Sequence, residues 1–475
     1  MLGLFGTLNL ATRSLATQQA GTEVAGHNLA NVSNPAYARQ RMRIETSVTM
    51  LSELGPQGTG ADGVEIERLR NLLLDGQIVS ESSVLGSLNS QQQALQYAQA
   101  NLGQRLDRQA TGSEGASAAS GVGGAQGLAE SLSGLFSAFQ SLSTNPTSLT
   151  DRQAVMLKAQ DLATQFNQVS ARLDDVTSLL NQSLSGEVEQ VNQVIADIAS
   201  INGKIMAVEA AGGSANDLRD TRQQRLEELG KLTSITATES SSGAIDITIG
   251  GVAMTSGNKV VERLEAFDPG NGKWLLRAEG TAAAVSPTGG SLQGTIEARD
   301  GEVARLQDQL DAVAGQLITR VNAVHSVGFG LKGSTGEAFF QGSDASNIAV
   351  NSRLLDQPDL VQASAVSGAV GNNDIALALA RLADEPQAAL GGQTLGQSYN
   401  QAVARLGSAL SSLNGQIENE TAVSQMLTRQ RDSVSGVSLD EEMTDLIRFQ
   451  RAFQASARLV TTVDDMLEIV MGLKR

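Results

Sequence analysis

The carboxy-terminal segment from residue 439 onward constrains the fold more than any other part of the chain. Large apolar residues recur there at alternating steps of three and four, which predicts one long amphipathic helix. The acidic residues 440–442 favour the positive start of this helix, and Lys474 and Arg475 favour its negative end. The predicted apolar face comprises Leu439, Met443, Leu446, Phe449, Phe453, Val460 and Leu467.

This face is wider than the stripe that pairs two helices, because Ile447, Leu459 and Met466 extend it. An isolated helix is only marginally stable in water, so most of its stability must come from burying that face. We therefore expect partners on more than one side of the helix. The first helix of the same chain supplies one, and other subunits must supply the rest.

Residues 2–31 predict that first helix, with a narrower coiled-coil seam. Gln18 and Thr22 weaken the middle of the seam, and the helix is expected to stop at Asn34-Pro35 because proline disfavours helical geometry in the residue before it. The candidate interface residues on this helix are Leu4, Leu8, Leu15 and Leu29.

The remaining pattern predicts a mainly α fold with β insertions, an elongated multidomain rod folded back so that both terminal helices pair. Alternating residues predict a short β-hairpin within 38–70, with a flexible turn at 55–60. Further helices are predicted at 150–182 and 185–211. A small all-β segment is expected to end near 297, and a weakly ordered stretch to follow residue 344.

The predicted domains follow this order along the chain. They are a terminal coiled-coil domain of 1–70 and 432–475, a helical middle domain of 71–232 and 298–431, and a β outer domain of 233–297. A Gly- and Ser-rich linker is predicted at 111–127.

Composition narrows the possible partners. The formal net charge is −17 with no basic stripe, so neither nucleic acid nor an anionic bilayer is an expected partner. No apolar run approaches the roughly 20 residues that span a membrane. The chain has no cysteine, which excludes disulfides, thiolate metal sites and cysteine nucleophiles.

Two terminal motifs and one central motif resemble the flagellar rod, hook and hook-associated protein family. Residues 27–37 read His-Asn-Leu-Ala-Asn-Val-Ser-Asn-Pro-Ala-Tyr, similar to that family's amino-terminal signature, although Ala36 replaces the usual Gly. Residues 435–442 match its carboxy-terminal signature, and residues 218–229, which begin Leu-Arg-Asp, are similar to a helical motif found within the family. Tyr37-Ala38-Arg39-Gln40 is typical of the hook-associated members of the family. The signature residues are Asn28, Asn31, Pro35, Tyr37, Arg39 and Gln40.

The resemblance implies a non-enzymatic structural protein at the hook–filament junction, secreted through the flagellar type III channel. It implies copies of itself, the hook protein, the second hook-associated junction protein and an export chaperone for the last helix as partners. Another axial protein, such as a hook or rod subunit or the second junction protein, stays an alternative. A secreted coiled-coil binding protein that does not polymerise is another.

Catalytic and cofactor sites find little support in the sequence. Residues 328–333 spell GxGxxG, but a helix is predicted before them and a loop after them, the reverse of a dinucleotide site. His27 and His325 lack the carboxylate neighbours of a metal site and are expected to be hydrogen-bonding residues at helix ends. No cofactor is predicted. An enzyme in the β segment would need a spaced carboxylate pair.

Overall fold

A computed structural model describes residues 3–52, 55–102 and 127–472. Nearly all of the predicted linker at 111–127 lies outside these residues, as do Lys474 and Arg475. The described helices are α1 Leu4–Ala30, α2 Leu72–Asn101, α3 Leu128–Thr144, α4 Leu149–Ala210, α5 Asn216–Leu232, α6 Gly290–Ala298, α7 Ala304–His325, α8 Ser352–Asp356, α9 Asp374–Arg381, α10 Leu395–Ser435 and α11 Leu439–Gly472. A π-helical turn, Arg299–Val303, joins α6 to α7.

The described strands are short and antiparallel. They are β1 Gln40–Thr46, β2 Thr49–Ser52, β3 Gly55–Gly58, β4 Ala61–Arg68, β5 Thr236–Glu239, β6 Ile245–Ile249, β7 Val252–Ala253, β8 Thr255–Ser256, β9 Lys259–Val260, β10 Leu264–Phe267, β11 Leu275–Ala278, β12 Phe340–Gln341 and β13 Ala349–Val350. The predicted fold class, elongated and mainly helical with β insertions, is confirmed.

Helix α4 is the spine of the molecule. Its 62 residues correspond to a length of about 93 Å at 1.5 Å per residue. The predicted break between 182 and 185 is wrong, because Leu180, Leu184 and Val188 keep a regular buried face through it. Gly186 lies on the exposed side, where nothing disfavours helix beyond the small intrinsic cost of glycine.

Two hydrophobic cores lie along this spine. The first half of α4 packs with α3, α7, α9 and the start of α10 around side chains such as Phe139, Phe166 and Phe339. The second half packs with α5, α6 and the strands between them, around Ile195 and Ile247. Because both cores share one helix, the body of the protein is elongated along it.

The β segment is shorter than predicted. Its strands form a three-stranded sheet β5-β6-β7 and the hairpins β8-β9 and β10-β11. Ile296, expected in a strand, lies in α6, where Leu292 four residues earlier is fully buried against the second core. The segment enters and leaves at one place, since Ser234 N donates to Gly289 O at 3.3 Å.

The stretch after residue 344, expected to be weakly ordered, is part of the first core. Ala345, Ile348, Leu354 and Val361 are fully buried there. Between these apolar side chains, Ser, Asn and Asp form hydrogen bonds that shape turns and cap very short elements, as Asn351 caps the five-residue α8. This mixture hides the packing from a search for helical or strand periodicity.

The terminal region contains α1, α11 and the strands β1 to β4. Strands β1 and β4 form the predicted hairpin, with a bulge after Arg43. The expected flexible turn at 55–60 is instead partly strand, because β2 and β3 pair as a second hairpin beyond the first. Thr17 Oγ1 donates to Ala61 O at 3.1 Å and so fixes the hairpin along α1.

Helix α6 approaches α2 so closely that Gly294 has no room for a side chain. A Cβ there would overlap the backbone oxygen of Ser87, which cannot move without shifting α2. We expect Gly294→Ala to destabilise the fold by about 1–3 kcal/mol. Urea unfolding followed by the fluorescence of Trp274, the chain's single tryptophan, measures this because Trp274 packs against the second core.

The matched control is Gly76→Ala in α2. No atom lies within 4 Å of a Cβ at this position. Since alanine is the better helix former, the control should be neutral or stabilising by up to about 1 kcal/mol. Equal effects of the two substitutions would contradict the proposed close contact between α2 and α6.

Candidate assembly interface and the polar junction at its base

Helices α1 and α11 run antiparallel and touch at every seventh residue, as two helices of a coiled coil do. The interhelical register is set by three contacts: Ser14 Oγ to Ser456 Oγ at 2.9 Å, Gly21 against the ring of Phe449, and Asn28 Nδ2 to Glu442 Oε2 at 2.9 Å. A Cβ at position 21 would lie 2.7 Å from Phe449 Cε1, so any larger residue would displace this ring. Small side chains therefore let the two backbones approach closely.

The centre of this pair is offset from the predicted leucine stripe of α1. The predicted residues Leu4, Leu8, Leu15 and Leu29 are only half-buried. The fully buried residues of α1 are Ala11, Thr17, Gly21, Val24, Ala25 and Asn28. A search for large apolar residues misses such a contact row, because the row consists mostly of small or polar residues.

The apolar face of α11 is largely uncovered in the single chain. Only Glu442 and Val463 are fully buried among its described residues. Of the predicted residues, Leu446, Phe449, Val460 and Leu467 are half-buried. The others are exposed: Leu439 at 52%, Met443 at 41% and Phe453 at 38%. Met466, Ile469 and Val470 are exposed as well.

Asn28 is the centre of a buried hydrogen-bond network at the base of the helix pair. Its Oδ1 accepts from Tyr37 Oη at 2.7 Å and from Gln40 N at 3.0 Å. Its Nδ2 donates to Gln40 O at 2.8 Å and to Glu442. Burial, followed by nearby carboxylates, raises the pKa of Tyr37, so its hydroxyl stays protonated and donates. One amide thus joins α1, β1 and α11.

Arg39 joins the same region to the start of α11. Its Nη1 donates to Glu441 Oε2 at 2.6 Å, and its Nε lies 2.7 Å from Glu442 Oε1. Burial of Arg39 opposes its charge, but Glu442 and Glu441 more than offset this and raise the pKa of the guanidinium. Two of the three acidic residues predicted to favour the helix start, Glu441 and Glu442, therefore also bind a signature arginine.

The network continues into the body of the protein through α5. Asp220 accepts from Ala38 N at 2.8 Å and from Arg68 Nη1 at 2.7 Å. Gln40 Nε2 donates to Asp217 Oδ1 at 2.7 Å. Asp220 lies within the central motif at 218–229 that resembles the flagellar family, and that motif was the only sequence signal for its role. The structure therefore brings this central motif into contact with the amino-terminal signature.

Two signature residues stay outside the network. Asn31 Nδ2 donates to His27 O at 3.0 Å, within its own helix end, and Pro35 is exposed. Asn34 closes the following turn, because its Oδ1 accepts from Ala36 N at 3.1 Å. Ala36 does not adopt a positive φ, so the turn accommodates alanine in place of glycine.

Residues considered for catalysis or metal binding are engaged in other contacts. His27 Nδ1 lies 3.0 Å from Tyr37 Oη at the end of α1. The 328–333 segment is a loop, with Phe329 bridged to Ser364. In the β segment, Glu265 pairs with Arg277 and Glu262 accepts from Gly280 N. The described residues contain no cluster of three or more metal-ligating side chains.

His325 is fully buried in the first core. Its Nε2 accepts from Gln362 N at 2.9 Å and its Nδ1 lies 2.8 Å from Glu337 O. Burial lowers the pKa of His325 to about 4. The imidazole is therefore neutral at physiological pH, with Nδ1 as the donor.

Comparisons with known proteins support an axial flagellar protein. Residues 120–340 match the model of the flagellar hook-associated protein FlgK helical domain, and residues 428–473 match that of the flagellar basal body rod FlgEFG protein C-terminal. The flagellar hook-associated protein 1 of Bacillus subtilis is 28% identical over 99% of each chain. Its Escherichia coli counterpart is 22% identical over 73% of this chain and 81% of its own length.

The fold is also that of a solved structure. The flagellar hook junction protein FlgK from Burkholderia pseudomallei superposes with a TM-score of 0.62 at 16% identity, covering 76% of this chain and all of that one. The sequence matches and the fold together resemble those of elongated axial proteins of the flagellum. Along nearly its whole length the chain is similar to flagellar hook-associated protein 1. No helix in the described part of the chain is long and apolar enough to span a membrane.

Removing the Asn28 amide should weaken the attachment of α11. In Asn28→Ala, the Glu442 carboxylate and both main-chain groups of Gln40 lose a partner in a buried site, and we expect a loss of about 2–4 kcal/mol. Hydrogen exchange of the first turns of α11 measures it. The control Asn31→Ala removes only a bond within one helix end and should cost no more than about 1 kcal/mol.

The depressed pKa of His325 predicts loss of stability in acid. In the unfolded chain, His325 takes up a proton below its ordinary pKa of 6.5. In the folded chain it stays neutral down to about pH 4. Stability should therefore fall as pH drops from 6.5 towards 4, by up to roughly 3 kcal/mol. Thermal melting across this range measures the slope.

A His325→Gln variant isolates this contribution, because it cannot take up the proton. Its melting temperature should depend less steeply on pH between 6.5 and 4, even if it is lower at neutral pH. Glu81 acts in the opposite sense, since burial and the adjacent Glu420 raise its pKa to about 7. An unchanged slope in the variant would show that His325 does not titrate as described.

Proposed function

We propose that this chain is a structural subunit of the hook–filament junction, polymerising through α1 and α11 to adapt the hook to the filament. The observation that supports this is the uncovered apolar face of α11, which packs chiefly on one helix, α1. Contiguous exposed apolar surface on a soluble chain marks an interaction site. The family supplies the setting in which such a face would be covered.

The same face and its half-buried flanks define the proposed contacts between copies. On α1 these are Leu4, Leu8, Leu15 and Leu29, and on α11 they are Leu439, Met443, Leu446, Phe449, Phe453, Val460 and Leu467. The close α1–α11 approach directs these side chains to the flanks of the pair, where a neighbouring subunit can reach them. A head-to-tail contact with a rise builds a helical layer, which suits an adaptor between two tubes.

The proposed partners are copies of this chain, the hook protein below and the second hook-associated junction protein above. Before assembly, an export chaperone would cover α11, whose exposed side chains would otherwise promote aggregation. The chain would leave the cell through the flagellar type III channel and reside in the extracellular flagellum. We expect its terminal segments to be marginally stable in the monomer and to order fully when neighbours dock.

We also propose that the chain has no catalytic role. The acidic side chains of the β segment are each engaged separately, as Asp246 is with Gly257 N at 2.6 Å. The rod or hook subunit, the second junction protein and the non-polymerising binding protein are less favoured, because the relative from Bacillus subtilis matches over nearly the full length of both chains.

The location of the protein on intact flagella tests the function directly. Immunogold electron microscopy of an epitope-tagged chain should label the boundary between hook and filament. Label spread along the filament, along the hook or only in the culture medium would contradict the proposal.

Charges placed on the apolar face of α11 should block assembly without unfolding the subunit. Met466→Asp with Ile469→Asp changes two exposed side chains, so the thermal stability of the monomer should move by less than about 1 kcal/mol. In cells lacking the natural copy, this variant should fail to restore swimming. The control Gln450→Asp with Gln454→Asp adds the same charge to exposed polar positions of α11 and should restore it.

A further inference from the structure

The loop between β10 and β11 holds an asparagine next to a glycine in an exposed position. The sequence contains three Asn-Gly pairs, at 202–203, 271–272 and 414–415. The atom that attacks an asparagine side chain is the backbone nitrogen of the next residue. When that residue is glycine, no side chain hinders the nitrogen and the backbone is conformationally free. Only the pair at 271–272 lies in a loop.

Hydrogen bonds in this loop prepare both reacting groups. Gly272 N, the attacking atom, donates to Asp268 Oδ1 at 3.1 Å. Asn271 Oδ1 accepts from Lys273 N at 3.0 Å, which draws electrons from the amide carbon under attack. Gly272 has a φ of 73°, a conformation that other residues rarely adopt. The nucleophile thus faces a base, and the electrophile faces a donor.

We propose that Asn271 is a site of spontaneous deamidation, with Asp268 as the base. Gly272 N bonds to Asn271 Cγ while its proton passes to the Asp268 carboxylate. The bond from Cγ to Nδ2 then breaks, and ammonia leaves with that proton, which gives a cyclic succinimide. Water opens the ring at either carbonyl, so the products are aspartate or isoaspartate at position 271 and one ammonia.

The other two Asn-Gly pairs are protected by helices. Asn202 in α4 is fully buried, and its side chain bonds to Ile245 O and Gly257 O at 2.8 Å each. Asn414 in α10 is exposed, but the main chain around it is held in a regular helix. A helical backbone keeps the following nitrogen in an i→i−4 bond and away from the side-chain carbon. The three sites therefore share a dipeptide and differ in geometry.

The reaction would alter a contact between the loop and the spine helix. Asn181 Nδ2 in α4 donates to Gly272 O at 2.8 Å, and Asn181 Oδ1 accepts from the buried Arg299 Nη1 at 2.7 Å. Isoaspartate lengthens the main chain by one carbon and adds a negative charge beside Asp268. Both changes weaken the bond to Asn181.

Peptide mapping by mass spectrometry tests the proposal on the intact chain, incubated at neutral pH. Asn271 should convert at least about tenfold faster than Asn202 and Asn414, and Asp268→Asn should slow it by a similar factor. In denaturant the three sites should convert at similar rates, because the fold no longer separates them.

Circular dichroism and Trp274 fluorescence establish that the Asp268→Asn variant is folded. Equal conversion of the three asparagines in the folded chain would overturn Asn271 as the preferred site. An unchanged rate in folded Asp268→Asn would overturn the role of Asp268 as base.

Discussion

The close antiparallel approach of α1 and α11 determines which side chains the two ends of this chain expose. Ser14, Gly21 and Asn28 lie at the centre of the contact, so the two backbones lie close together and the larger side chains do not interdigitate between them. The leucines of α1 and most apolar residues of α11 are displaced to the flanks. The contacts within the pair fix its register and still leave a broad apolar surface uncovered.

The polar junction sets the direction in which this pair leaves the body. Burying Arg39, Glu442 and Asp220 costs desolvation, which is offset only where charge and hydrogen-bond partners are correctly placed. Apolar contacts alone would tolerate sliding or rotation of one helix on the other. Hydrogen bonds from Asn28 to β1 and α11 restrict both movements, and Asp217 and Asp220 attach this region to α5 in the body.

Local sequence patterns predicted much of the fold, but they could not predict the long-range contacts. The terminal helices, the β1–β4 hairpin and the mainly helical class follow from periodicity and turn residues, which act over a few positions. The continuity of α4 depends on both cores burying the same face, and the helical state of Ile296 on its packing with Leu292. Neither is visible in a short window of sequence.

The candidate site divides in the same way. The width of the α11 face was evident from its spacing, whereas the contact row of α1 was not, because Gly21 and Ser14 give no hydrophobic signal. The partnership of Asp220 with Arg68 and Ala38 joins residues more than 150 positions apart. Only the resemblance of the 218–229 motif to a family could have drawn attention to it.

The strand-rich segment between α5 and α6 is attached to the rest of the chain at one place. Its two connections are adjacent, joined by the Ser234–Gly289 hydrogen bond, and its strands rest on the second half of α4. Its buried side chains, among them Ile247 and Leu276, complete the second core, so a longer or shorter replacement that still covers this half of α4 would leave the chain ends and the first core in place. Changes in length or shape can therefore accumulate between these two connections while the α1–α11 pair and the polar junction keep their contacts.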